Sequence, residues 1–200
     1  MRLKKEQILQ TAEKLFAQKG FDGARVDDIA LKAGVNKALI YYYFKSKQHI
    51  LEAILEKHMD EIFQKRKHII KSMDDISKEK SIESLLEHSL RIFENREDFL
   101  KIVFTEELKS VKQHWPLFQL LDQGFDKGFH QLEQFGIKLK NENKIRFIAF
   151  FFANVPLSMF IMLRDEWIEY YNAEPEQLTQ WFLEAMKKMY VRYLMEEMTK

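Results

Sequence analysis

The chain has 200 residues, with 6 glycines and 3 prolines among long runs rich in Leu, Lys, Glu, Gln, Phe and Met, so a loop-rich β architecture is disfavoured and one sizeable core, or a small domain plus a larger one, is within reach. It has no cysteine, which excludes disulfides and thiolate chemistry and agrees with a reducing cytoplasm. The net charge is only +1, but residues 1–50 hold ten Lys/Arg against five Asp/Glu, so a head of +5 precedes a body of −4, the asymmetry of a chain that meets phosphate at one end.

The N-terminus becomes amphipathic at once and carries no apolar signal-peptide core. Ile8, Leu9, Ala12, Leu15 and Phe16 share one face of a helix expected over about residues 4–19, which Gly20 is placed to end and Phe21 to close. A second helix near 26–33 buries Val26, Ile29, Ala30 and Ala33. Arg25 at its mouth cannot cap as Ser, Thr, Asp or Asn would, and Asp27 and Asp28 compensate in part through the helix dipole.

Residues 25–44 then read as a helix-turn-helix. Ala30 allows close approach of two crossing helices, Gly34 supplies positive φ at the turn, Val35 anchors it, and Ile40 with Phe44 turns one face of the next helix inward. Asn36 is a candidate N-cap for that helix, which leaves Asn36, Lys37, Ala38, Tyr41 and Tyr42 outward, side chains suited to a DNA groove. Three successive tyrosines cannot all face one core, so at least one ring of Tyr41, Tyr42 and Tyr43 points out; Tyr42 and Tyr43 are the favoured phosphate or base contacts, with Tyr41 partly packed. Ser46 is placed to cap a fourth helix with the stripe Ile50, Leu51, Ile54 and Leu55, running to about residue 73.

The rest is also helical in pattern. One segment contains Ile82, Leu85, Leu86, Leu90 and Phe93, a second spans 99–108, and a third opens near Pro116 and ends at Gly136. Residues 137–144 read as a polar connection. Residues 147–163 are apolar on nearly every side; at seventeen residues they sit at the lower limit of a membrane span, but Asn154 and Pro156 interrupt them, and a helix covered on one side by its own core and on the other by a partner chain is the preferred reading. Pro175 opens the last helix, whose Leu178, Trp181, Phe182, Ala185, Met189 and Tyr193 form a broad apolar face. No membrane partner is expected.

The head resembles the TetR (tetracycline-repressor) family of bacterial transcription regulators. The resemblance covers about residues 4–55 and rests on Ile8-Leu9, Ala12, Leu15-Phe16, Gly20-Phe21, Val26, Ile29-Ala30, Ala33-Gly34-Val35, Ile40-Tyr41, Phe44, Ser46-Lys47 and Ile50. It implies an all-α fold: a three-helix DNA-binding head over residues 1–50, and a larger helical bundle over 51–200 that binds an effector and makes a homodimer through the last two long helices, about 144–170 and 175–197. It also implies a cytoplasmic regulator, most often a ligand-released repressor, on double-stranded operator DNA, with no enzymatic activity and no cofactor. The family's DNA contacts fall here on Asn36, Lys37, Ala38, Tyr41, Tyr42 and Tyr43, with Lys47 on a backbone phosphate. Arg25 departs from the usual Ser or Thr but can still pair with phosphate. Leu39 also departs, and faces either a thymine methyl or neighbouring apolar surface.

The effector site is less legible. Phe104, Phe125, Phe129, Phe151 and Met162, with Asn154 and Ser158 as polar contacts, are candidates to line a cavity for a small hydrophobic or aromatic effector. A helical core explains the same aromatics, and hydrogen bonding around Pro156 explains the same polar pair. The six histidines show no metal-ligand spacing and read as surface or core residues, so no metal is expected. Two other classes remain open from residues alone: a helical ligand-binding or interaction protein without DNA binding, and an all-helical enzyme on a lipid-like substrate.

Overall fold

The computed structural model describes residues 2–71, 78–109, 125–126, 130 and 138–199. Among these the chain is helical: α1 (Arg2–Gly23), α2 (Val26–Lys32), α3 (Lys37–Tyr43), α4 (Lys47–Lys71), α5 (Lys78–Phe93), α6 (Glu97–Lys109), α7 (Glu142–Ala149), α8 (Val155–Tyr171), α9 (Pro175–Met186) and α10 (Arg192–Glu197). The all-α expectation holds apart from a two-residue antiparallel pair, β1 (Lys138–Leu139), where a polar connection was expected, with β2 (Met198–Thr199) after the last helix. The expected helix from Pro116 to Gly136 lies outside the described residues except at Phe125, Asp126 and His130, which are helical. The chain forms two compact units, Met1–Ile62 with Arg96–Leu117, and Phe63–Asn95 with Phe118–Lys200.

In the first unit the apolar stripes close on one another. Ile8, Leu9, Ala12, Leu15 and Phe16 of α1, Ile29 and Ala30 of α2, Ile40 of α3, and Ile50, Leu51, Ile54 and Leu55 of α4 are all buried. Gly20 takes φ 71° inside α1 and kinks it, and Phe21 folds back so that its ring lies 5.5 Å from that of Phe16. α6 packs along α1 and buries Phe99, Leu100, Ile102 and Val103. The composition of this unit beyond α4 was not legible, because α6 is separated from its partner by more than seventy residues of chain.

His58 sits on the buried stripe of α4, and its surroundings identify it as a core histidine. Its ring stacks on Phe99 with centroids 4.5 Å apart, its Nε2 lies 2.7 Å from Glu13 Oε1 of α1, and its Nδ1 meets the guanidinium of Arg96. Arginine only donates, so Nδ1 is the accepting nitrogen and Nε2–H donates to Glu13, which fixes the tautomer. Arg96 also donates to Glu61 Oε2 at 2.8 Å, so α1, α4 and the residue that opens onto α6 share one polar junction.

The second unit has its own core of Ile82, Leu86, Ile145, Met186, Val191 and Leu194, with Phe125, Phe182 and Tyr190 packed against it. Between α7 and α8 the helix widens into a π-turn over Phe150–Asn154, immediately before Pro156, which has no N–H to donate and would crowd a regular turn. Asn154 Nδ2 donates to Ala149 O at 2.8 Å, serving a carbonyl in this widened stretch. A second π-turn over Lys187–Val191 joins α9 to α10, and α8 ends on Asn172 in the left-handed region at φ 49°. Phe160 and Phe182 stack with centroids 4.1 Å apart and tie α8 to α9.

The run Glu142–Tyr171 is long and apolar enough to cross a membrane by length and composition. Its two faces differ in chemistry and burial. Ile145, Ile148, Ala149, Leu157 and Ile161 are buried in the unit, while Phe147, Phe151, Phe152, Leu163 and Trp167 are each about half exposed.

Candidate nucleic-acid interface

α2 and α3 are joined by a turn whose hydrogen bonds define it. Val35 N donates to Ala30 O at 3.0 Å and Gly34 N to Leu31 O at 3.2 Å, with Gly34 at φ 59°; this pair of bonds closes the free carbonyls at the end of α2. α3 then starts on Asn36, whose Oδ1 accepts from Leu39 N at 2.7 Å. Loss of such a cap costs about 1 kcal/mol. Ile40 locks the helix from beneath, fully buried.

The outer surface carries Asn36, Lys37, Ala38, Tyr41 and Tyr42, all exposed. The capping role of Asn36 takes its amide oxygen, so its amide N–H groups are what it offers outward. Lys37 Nζ lies 2.8 Å from Asp27 Oδ1 of α2, a contact that raises the Lys37 pKa; the pair is solvent-exposed and screened, so a phosphate competes for the ammonium readily. The tyrosines differ from expectation in order: Tyr41 is as open as the interface requires, at 49% exposed, whereas Tyr43 is half-buried with its ring 5.1 Å from Tyr42, edge-on, and 6.3 Å from Phe44. Leu39 is half-buried. Arg25 occupies the N-cap position of α2 in extended conformation and makes no side-chain cap bond there, as its chemistry dictates; it is exposed. Asp28 is held by Lys19 at 2.9 Å, which lowers its pKa, so each acid in the first turn of α2 has a lysine beside it.

Ser46 caps α4, accepting from His49 N at 3.1 Å. Lys47, which the resemblance places on a phosphate, points inward in the free chain. Its Nζ donates to the carbonyls of Phe21 at 2.7 Å, Ala24 at 3.1 Å and Asp22 at 3.4 Å, and lies 4.3 Å from the centre of the Phe21 ring. The sequence showed a lysine beside the recognition helix; it did not show that the α1–α2 corner passes beneath it.

The candidate effector residues are distributed over both units of the chain. Phe104 belongs to the first unit, and Phe129 lies outside the described residues. In the second unit Phe125 packs on the core, Ser158 is buried, Met162 is half-buried, Phe151 is half exposed, and Asn154 is engaged with Ala149. One charge there was not anticipated. Loss of hydration draws the Arg66 guanidinium below its ordinary pKa, and the same cause pushes the nearby Tyr190 hydroxyl up to about 12. In the sequence Arg66 is one of four basic residues between 65 and 68, which looks like a solvated face. Among the described residues no group of His, Cys, Asp or Glu could hold a metal.

Residues 8–54 match the model of the bacterial regulatory proteins of the tetR family. The chain is 28% identical over 119 residues to YerO of Bacillus subtilis, an uncharacterized HTH-type transcriptional regulator, covering 58% of this chain and 41% of that protein. It is 46% identical over 48 residues to IcaR of Staphylococcus aureus, the negative transcriptional regulator of the biofilm operon icaADBC, covering 24% of this chain and 26% of that one. The matched stretch thus spans less than half the length of either relative. The fold of the FadR regulator from Bacillus subtilis, solved in complex with stearoyl-CoA, is similar over 90% of this chain and 96% of that one, with a TM-score of 0.63 at 17% identity.

Proposed function

We propose that the chain is a member of the tetR family of bacterial regulatory proteins, whose model its residues 8–54 match, and that it is a cytoplasmic DNA-binding transcriptional regulator, a homodimer that grips a palindromic operator and releases it on binding a small molecule. The observation that carries this reading is α3 itself: a capped, buried-side-anchored helix after a glycine turn, presenting Asn36, Ala38, Tyr41 and Tyr42 outward. Arg25 and Lys37 supply phosphate contacts and position the head, while the amide, methyl and phenol groups read base edges. In this division residues 1–50 act as the reading head, and 51–200 bind the effector and pair the protomers. Two recognition helices then lie in successive major grooves, about 34–36 Å apart.

The dimer rests on the faces that α8 and α9 leave open. Leu163, Trp167, Tyr170 and Tyr171 on one, and Trp181 and Met189 following the other, are exposed aromatic and apolar side chains at helical spacing. The effector is read as a small, largely apolar molecule held in the second unit by side chains such as Phe125, Ser158 and Met162, in keeping with the stearoyl-CoA bound by FadR. Such a ligand releases DNA only by binding the two conformations with different affinity. Repression is the outcome assigned, as for IcaR.

The test is binding of the purified protein to a duplex of its own upstream intergenic DNA over a salt series. Affinity falling linearly with the logarithm of salt supports the reading, and no salt-dependent binding sinks it.

A further inference from the structure

The corner between α1 and α2 is held by charged side chains from two other helices. The backbone of Phe21 is held on both sides: its N–H donates to Glu106 Oε1 of α6 at 3.1 Å, and its carbonyl accepts from Lys47 Nζ of α4 at 2.7 Å. Glu106 is buried, and Lys109 steadies the same carboxylate oxygen from 2.9 Å. An ammonium has three N–H donors and no acceptor, and the carbonyls of Phe21, Asp22 and Ala24 take all three, with the Phe21 ring closing over the charge. These carbonyls lie where α1 ends, the end of a helix that favours a cation. The last of them, Ala24, immediately precedes Arg25, from which α2 starts.

We propose that Lys47 serves DNA binding as a positioning residue, fixing the α1–α2 corner and through it the placing of α2 and α3, and that it is not a phosphate ligand. The inference rests on the DNA-binding reading above but is separable from it. A lysine on a phosphate releases counterions and contributes about 0.9 to the salt slope for each phosphate it neutralises. A lysine spent on carbonyls contributes none.

Two measurements decide the matter. In the first, Lys47→Met and Arg25→Ala are compared with the unaltered protein on the upstream duplex across a salt series. Lys47→Met is expected to lower affinity about tenfold at every salt concentration with the slope unchanged, whereas Arg25→Ala flattens the slope. A Lys47→Met slope reduced by about 0.9 per protomer overturns the proposal. The second needs no variant and no DNA affinity: reductive methylation of the intact protein, read by mass spectrometry, with the exposed Lys32 and Lys45 as references. Lys47 is expected to label far more slowly than either in the free protein, and to the same extent when the duplex is added. Labelling of free Lys47 as fast as Lys45 overturns the proposal even where Lys47→Met fails to fold. Failure of the unaltered protein to bind the duplex would strike the regulator reading and leave the labelling result standing.

Discussion

The head and the second unit place their aromatic and apolar residues in opposite ways. In the head, Phe16, Ile29, Ile40 and Phe44 are buried to the last few per cent, and what lies outside is mostly charge, amide and phenol. In the second unit Tyr170 is 82% exposed, Met189 64% and Trp181 54%, on helices whose other faces are packed. The head therefore completes its core within one chain. The second unit leaves large rings exposed at helical spacing, the surface on which the proposed dimer rests.

The sharpest way to break the head is to remove the residue that seats α3. Ile40→Ala is expected to cost about 2–5 kcal/mol, read as a lower urea midpoint for the unfolding of the head, because a fully buried side chain leaves a cavity. The equivalent break in the second unit acts on association instead. Trp167→Glu combined with Trp181→Glu is expected to weaken the dimer by about 2–4 kcal/mol, on the order of a hundredfold or more in sedimentation experiments, with the stability of the head unchanged. Unaltered association would remove the covered-face account of these helices.

Smaller effects refine the comparison at α3. Asn36→Ala loses the bond from Leu39 N and should cost about 1 kcal/mol of head stability as well as altering which DNA sequences are preferred. Asn36→Asp keeps the cap, so its melting temperature should stay close to that of the parent while DNA affinity falls through repulsion of phosphate. Equal melting losses in both would show that the amide oxygen is not the capping group. The smallest effect is expected at Glu107 on α6, whose Oε2 is buried with no hydrogen-bond partner among the described residues and whose pKa is raised by that burial. A carboxyl raised in this way stabilises the fold when protonated, below its ordinary value of 4.5, and loses that contribution as pH climbs through the raised value. Glu107→Gln should accordingly raise the melting temperature at pH 7 and leave it unraised at pH 4.

What the sequence disclosed follows the same division. The stripe from Ile8 to Phe16, the positive φ of Gly20 and Gly34, and the caps at Asn36 and Ser46 are local, each decided within a turn or two of helix, and each could be read from spacing and residue type. Lys47 and His58 could not, because their roles depend on carbonyls and carboxylates 23 to 45 residues away in the chain. The order of exposure in Tyr41, Tyr42 and Tyr43 was missed for a related reason: only the observed packing places Tyr43 between Tyr42 and Phe44. In the second unit the apolar helix and its proline were visible, but the π-turn that engages Asn154 and the sorting of Phe147, Phe151 and Phe152 to the outside depend on tertiary packing.

The proposed dimer would set two reading heads on one operator, and its most direct test counts protomers on DNA. Sedimentation of the unaltered protein with a duplex of its upstream intergenic DNA, at several salt concentrations, should give two protomers per duplex with affinity falling linearly against log salt. A single protomer per duplex, or binding indifferent to salt, would contradict it.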